Sequence, residues 1–122
     1  MVLKVNFYKT KAGNEPVLEW LREQDDDTRK SIGDDLRTVQ IGWPLGMPLV
    51  RSMGDGLYEV RVTLAQGIAR LMFFQSDDQL VVVEGFIKKS QKTPAKHLDN
   101  AKDRKSEFEK ELKKAKKTKK NK

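Results

Sequence analysis

The chain has 122 residues, of which 37% are hydrophobic and 35% are charged, so we expect one soluble domain with a modest core. It contains no cysteine and a single histidine, which excludes disulfides, zinc–thiolate sites and a metal cluster built on imidazoles. No apolar run approaches the ~18 residues that cross a membrane, and the N-terminus lacks a secretory signal pattern. We therefore expect a cytoplasmic protein with no membrane partner.

The net charge of +7 arises from the C-terminal segment, because residues 113–122 hold seven lysines and no acid. The other charges balance, so we predict one domain over residues 1–112 and a basic, disordered tail over residues 113–122. Charge is also separated within the domain. Acids dominate from Glu15 to Asp35, whereas residues 85–97 contain four lysines and no carboxylate. The natural partner of that purely basic segment is a polyanion such as nucleic acid.

The N-terminal third of the chain predicts a strand followed by two helices. Residues Val2 to Tyr8 alternate between apolar and polar side chains, which is typical of a half-buried strand. Asn14 and Pro16 mark the start of a short helix, and the acid run at residues 25–27 ends it and begins a second helix. Residues 42–56 hold four glycines and two prolines, so we expect no regular element there.

Three strands follow, over Leu57 to Ala65, Ile68 to Gln75 and Leu80 to Lys88, with short connections rich in turn residues. This spacing predicts a three-stranded antiparallel meander. Thr93-Pro94 then predicts the start of a long C-terminal helix, with Thr93 as its N-cap. The order of strand, two helices, meander and terminal helix indicates an α+β fold.

The alternation of side chains divides each meander strand into an apolar face, which we expect to pack on the helices, and a mixed face. In the third strand it predicts Val81 and Val83 on the apolar face and Val82 on the mixed face. Strand pairing can gather the charged and aromatic residues of the mixed faces on one side of the sheet: Glu59, Arg61, Arg70, Glu84, Phe86 and Lys88. We interpret them as a cationic groove in which arginines bind phosphate oxygens and an aromatic ring stacks on a base.

The same residues have a plainer interpretation. Arg61 would then pair with Glu59 or Glu84 across the sheet, and the lysines would only solvate the surface. Two arginines that converge on a lysine cluster favour the functional interpretation instead. His97, which falls in the first turn of the last helix beside that cluster, is a further candidate for the site.

Two sequence strings carry a resemblance to a known family. Leu57-Tyr58-Glu59-Val60-Arg61 and Gly85-Phe86-Ile87-Lys88-Lys89-Ser90-Gln91-Lys92-Thr93-Pro94, with Arg70 between them, resemble the phage-derived Gp49-like branch of the RelE/HigB toxin superfamily. The resemblance covers the chain apart from the lysine tail and implies a RelE-like fold. It implies the toxin of a type II toxin–antitoxin system, an endoribonuclease that cleaves mRNA in the ribosomal A site. The implied partners are the ribosome, mRNA and a helix-turn-helix antitoxin.

The resemblance also implies a chemistry that needs no metal or other cofactor, in which the ribose 2′-OH attacks the adjacent phosphate. It places Arg61 and Arg70 at phosphate-binding positions and Lys88 at the basic end of the strand. Glu59 and His97 are both candidates for the general base, and the choice between them stays open. Further RNA contacts are expected from one aromatic ring and three lysines: Phe86, Lys89, Lys92 and Lys96.

Two other classes of function stay open. One is a binding module of the same fold that holds ribosomal RNA or another nucleic acid without cleaving it. The other is a structural or regulatory phage-derived protein whose basic tail provides non-specific affinity. A binder should lose affinity in proportion to the charge removed, whereas an enzyme should fail on single changes at Arg61 or Arg70 that leave RNA affinity largely intact.

Overall fold

The structure, a computed structural model, describes residues 3–89 and 92–120, with side chains up to residue 116. This part of the chain forms an α+β protein, as predicted, with three helices and one five-stranded mixed sheet. The elements in chain order are β1 (Lys4–Phe7), α1 (Pro16–Arg22), α2 (Asp26–Gly42), β2 (Val50–Gly54), β3 (Leu57–Leu64), β4 (Gly67–Ser76), β5 (Gln79–Lys88) and α3 (Ala95–Lys120).

The strands lie in the order β1-β5-β4-β3-β2. β1 pairs with β5 in parallel, whereas the other neighbouring strands pair antiparallel, so the sheet is mixed. The strand β2 corrects the expectation of no regular element in residues 42–56. Val50 and Ser52 pair with Val60 and Tyr58 of β3. Cross-strand pairing and the full burial of Val50 therefore override the weak local preference of this glycine- and proline-rich segment.

One face of the sheet packs on α1 and α2. The N-cap of α2 is Asp25, whose carboxylate accepts a hydrogen bond from the Thr28 backbone N–H at 2.8 Å. That bond favours the ionised carboxylate and lowers the pKa of Asp25. The apolar stripe of α2 lies on the sheet, as its spacing predicts. The buried residues of this core include Val17, Leu21, Ile32, Leu36, Val39, Val60, Val62, Leu71, Phe73 and Val82.

The opposite face of the sheet is covered by α3, which corrects the expectation that the mixed face would be an open groove. Ala101 of α3 is completely buried, and Phe108 packs edge-on against Phe74 at 5.4 Å between ring centroids. The core on this side contains Leu57, Met72, Phe74, Val81, Val83 and Phe86. Both faces of the central strands are therefore covered along α3, whereas Thr63 and Lys88, beyond the start of α3, are exposed.

A β-bulge in β5 reverses the predicted facing of its first half. Met72 pairs with Glu84, but the next residue, Phe73, pairs with Val82, so Val83 is an extra residue without a partner on β4. Val81 and Val83 consequently lie in the core under α3, and Val82 lies in the core under α1 and α2. The prediction from strict alternation is wrong for these three valines because one inserted residue changes the parity of the strand.

The start and the end of α3 both differ from the sequence-based expectation. The Pro94 carbonyl accepts the first helical hydrogen bond, from the His97 N–H at 3.1 Å, while the Thr93 hydroxyl binds Glu59 and not the helix end. The helix continues to Lys120 and so includes most of the segment predicted to be a disordered tail. Residues 121–122 lie outside the described residues. Among the described helices, none is long and apolar enough to cross a membrane.

Candidate functional site

The register of the sheet aligns three residues of the predicted site in one row under the start of α3. Arg61 of β3 pairs with Arg70 of β4, and Arg70 pairs with Phe86 of β5. The neighbouring row toward the middle of α3 contains Glu59, Met72 and Glu84. The sequence therefore correctly predicted that both arginines and both glutamates share one side of the sheet.

Arg70 lies at the bottom of this site, completely buried with Glu59. Its Nη1 donates to Glu59 Oε1 at 3.0 Å, and Glu59 Oε2 accepts from the Thr93 hydroxyl at 2.6 Å. Breaking a buried, hydrogen-bonded ion pair by removing one partner costs about 3–5 kcal/mol. Arg70, Glu59 and Thr93 therefore form a buried network, which we call the floor of the site, that links β4, β3 and the segment before α3. Neither charged side chain reaches solvent.

Arg61 lies at the margin of the same row and is only partly buried. Its backbone N–H donates to the Leu49 carbonyl at 2.9 Å, which fixes the strand at this position. The two arginines therefore differ in access, although the sequence predicted equivalent roles for them. Of the two arginines, only Arg61 keeps part of its surface exposed.

Exposed lysines lie at the end of β5 and at the start of α3. Lys88 is the last residue of β5 and pairs with Ile68, and Lys89 follows it directly. A shallow cleft of about 300 Å³ at the β3–β4 turn is lined by residues 63–68 and by Lys89. We call this surface the basic strand end, and it consists of Arg61, Lys88, Lys89, Lys92 and Lys96. Residues 90 and 91, also part of the predicted basic segment, lie outside the described residues.

His97 closes the other side of the site. Its imidazole stacks on the Phe86 ring with 3.9 Å between centroids and an interplanar angle of 8°. Phe86 is only 6% exposed, so in this structure its face contacts the histidine and is not open to a base. His97 Nδ1 lies 2.8 Å from Glu84 Oε2. The structure therefore joins two residues that the sequence treated separately, the aromatic ring and the histidine.

Sequence reasoning missed three polar residues that hold the site together. Thr93 binds Glu59, and Asn100 and Arg104 bind Glu84. A signal for the last two was present in the chain: with His97 they recur at three- and four-residue spacing, which places them on one face of α3. The pattern was not recognised because the helices were expected to pack on the apolar face of the sheet and not on its mixed face.

The structure offers several charged groups but, in the part that it describes, no group of three or more acidic or histidine side chains that could hold a metal ion. What the site presents to solvent is cationic. The buried carboxylates of Glu59 and Glu84 are each bound by an arginine, through Arg70 and Arg104 respectively. Fold and site together define an α+β protein with a basic surface at one end of its sheet.

The chain belongs to the phage-derived Gp49-like protein family (DUF891), whose sequence profile matches residues 19–106. The match begins in α1, includes every strand after β1 and ends within α3, so it contains all residues of the basic strand end and of the buried network beneath it. No curated protein matches the chain.

Proposed function

We propose that this protein is the toxin of a type II toxin–antitoxin system and acts as a ribosome-dependent mRNA endonuclease of the RelE/HigB type. The observation that carries the proposal is the basic strand end, which lies within the segment matched by the Gp49-like family and bears the Leu-Tyr-Glu-x-Arg and Gly-Phe-x-Lys-Lys strings. A phosphate chain approaching this surface meets a guanidinium from β3 and ammonium groups from the end of β5 and the start of α3.

In the proposed reaction the ribose 2′-OH attacks the adjacent phosphate in line, and the protein stabilises the charge that builds on the phosphate oxygens. Arg61 supplies a planar pair of donors to those oxygens. Arg70, buried below it, acts through the floor that it forms with Glu59. The lysines of the basic strand end hold the RNA backbone on either side of the scissile bond.

A second candidate function is RNA binding without cleavage, and one observation favours it. Several groups expected to take part in chemistry already bind other protein groups: Arg70 binds Glu59, and His97 binds Glu84 and stacks on Phe86. On this proposal the basic strand end would grip ribosomal RNA or another polyanion by charge alone. Affinity would then fall steeply with salt and with each lysine removed.

Mapping of mRNA ends separates the two functions. The protein is induced with and without the reading frame that neighbours its gene, and new RNA ends are compared between wild type and Arg61→Lys. Cleavage predicts new ends with 2′,3′-cyclic phosphates that appear only without the neighbouring frame and vanish in the variant. Cleavage should also persist when metal ions are chelated, in an assay whose RNA presentation needs no magnesium. Ordinary 3′-hydroxyl ends, or an unchanged RNA pool, would contradict the endonuclease.

The proposed partner that controls toxicity is a helix-turn-helix antitoxin. It must either cover the basic strand end or prevent the toxin from entering the ribosome. A stable complex of this kind buries about 1,200–2,000 Å² or more, so the two proteins should copurify. Harmless expression of the wild-type chain without a partner would contradict the toxin proposal.

A further inference from the structure

Glu84 on β5 is the centre of a hydrogen-bond network that ties the sheet to α3. Its side chain is 10% exposed, and both carboxylate oxygens are bound. Oε1 accepts from Arg104 Nη1 at 3.0 Å, while Oε2 accepts from Asn100 Nδ2 at 3.2 Å and lies 2.8 Å from His97 Nδ1. Arg104 also donates to the Val83 carbonyl at 2.8 Å, which fixes the guanidinium against the strand. The carboxylate therefore has little freedom to move.

This environment decides which nitrogen of the neutral imidazole carries the proton. A carboxylate paired with an arginine is ionised and only accepts hydrogen bonds, so His97 Nδ1 must donate to Glu84 Oε2. The other nitrogen, Nε2, is then left with its lone pair as an acceptor. Stacking on Phe86 restrains rotation of the ring, and the His97 side chain keeps 16% of its surface exposed.

We propose that Glu84 is a positioning residue that presents His97 Nε2 as the proton acceptor for the ribose 2′-OH. This inference rests on the proposed function and selects between the two candidate bases. Glu59 is fully buried and its two oxygens are bound by Arg70 and Thr93. His97 keeps part of its side chain exposed and stacks on Phe86, which lies in the same row of the sheet as Arg61.

The step balances without a further reactant. The 2′-hydroxyl proton moves to His97 Nε2, the 2′-oxygen forms a bond to phosphorus, and the bond between phosphorus and the 5′-oxygen breaks. The departing 5′-oxygen takes a proton from water. The imidazolium formed in the step is stabilised by the Glu84 carboxylate at Nδ1 and returns its proton to solvent.

Glu84→Gln is the variant that separates positioning from packing, because it keeps the size of the side chain. Arg104 has only donors, whereas the Asn100 amide can turn to present its oxygen, so the single amide oxygen of the glutamine must face Arg104 Nη1. The amide nitrogen then faces His97 Nδ1 and donates to it. His97 must therefore carry its proton on Nε2, and the proposed base loses its lone pair on the substrate side.

The tautomer can be read directly, since His97 is the only histidine of the chain. Imidazole nitrogen chemical shifts of isotope-labelled full-length protein identify the protonated nitrogen by NMR. We expect a proton on Nδ1 in the neutral ring of the wild type and on Nε2 in Glu84→Gln. Glu107→Gln is the matched control, because Glu107 is also on α3 and binds the Tyr8 hydroxyl. It should retain the wild-type tautomer.

Cleavage assays on ribosome-bound mRNA complete the test. His97→Gln and Glu84→Gln should each slow cleavage by about 10²–10⁴-fold with little change in ribosome binding, as loss of a general base does. A wild-type proton on Nε2, or full cleavage by His97→Gln, overturns the inference, and neither result depends on how well Glu84→Gln folds. A wild-type protein with the Nδ1 proton but no cleavage overturns the proposed function and the role as base, while ring positioning by Glu84 stands.

Discussion

Arg61 and Arg70 lie directly opposite each other on β3 and β4, yet Arg70 is completely buried and Arg61 is only partly buried. The difference arises because Arg70 occupies a central strand beneath the start of α3 and pairs there with Glu59. Two arginines that look equivalent in the sequence therefore differ in their surroundings: Arg61 is partly exposed, and Arg70 is buried in an ion pair with Glu59.

Arg61→Lys should abolish most cleavage without destabilising the protein. A lysine keeps the charge but loses the planar pair of donors, and removal of one preorganised donor costs about 10²–10³ in rate. The melting temperature and the affinity for ribosomes should change little. Arg37→Lys on α2 is the matched control, since Arg37 is exposed and lies on the opposite side of the sheet from the site. Equal cleavage by both variants would contradict the role of Arg61.

Arg70→Met should destabilise the protein strongly, because it leaves the Glu59 carboxylate buried without its counter-charge. We expect a loss of about 3–5 kcal/mol in the free energy of unfolding, measured by chemical denaturation. The control is Lys30→Met, which breaks an exposed ion pair with Asp34 and should cost less than about 1 kcal/mol. A double variant, Arg70→Met with Glu59→Leu, should recover part of the loss.

Gly85→Ala should destabilise the protein, because a Cβ at this position would lie 2.9 Å from a ring carbon of Trp20. Forcing extra volume into a packed interface costs about 1–3 kcal/mol. Gly33→Ala on the exposed side of α2 is the opposite case, with nothing within 4 Å of the added Cβ. It should stabilise the helix by about 1 kcal/mol. We therefore expect thermal unfolding to show a lower melting temperature for Gly85→Ala and a higher one for Gly33→Ala.

Asp25→Ala should weaken the protein only where the carboxylate is ionised. The hydrogen bond from the Thr28 N–H holds the pKa of Asp25 below its ordinary value of 3.8. The stabilisation is therefore fully present above that ordinary value and disappears as the pH falls through the lower pKa of the folded state. Denaturation curves at several pH values should show the two proteins converging in acid. Asp27→Ala, which removes a neighbouring exposed carboxylate, is the control.

Deletion of residues 113–122 should leave the melting temperature nearly unchanged. Although α3 continues to Lys120, residues 113–116 are exposed, and the Lys114–Glu111 ion pair is on the surface. The truncated protein should bind RNA or ribosomes with a weaker dependence on salt, since each lost phosphate contact lowers the slope by about one. A large loss of stability would show instead that the segment packs on the domain.

The local elements were largely determined by the sequence itself. The stripe of Ile32, Leu36 and Val39 predicts α2, and the turn-rich spacing predicts the strands that became β3, β4 and β5. Strand β2 could not be predicted in the same way, because Val50–Gly54 becomes a strand only through its pairing with β3. Local preference acts within a few residues, whereas that pairing depends on a neighbour brought in by the fold.

The composition of the site was also readable from the sequence, but its accessibility was not. Alternation placed Glu59, Arg61, Arg70 and Glu84 on one side of the sheet, as the structure has them. Only the tertiary structure decided that α3 covers that side, which buries Arg70 and couples His97 to Glu84. The β-bulge at Val83 was likewise not predictable from the sequence. The physical reason is that the two-residue periodicity of a strand determines which side chains share a face of the sheet. Whether that face is buried depends on which other element packs against it.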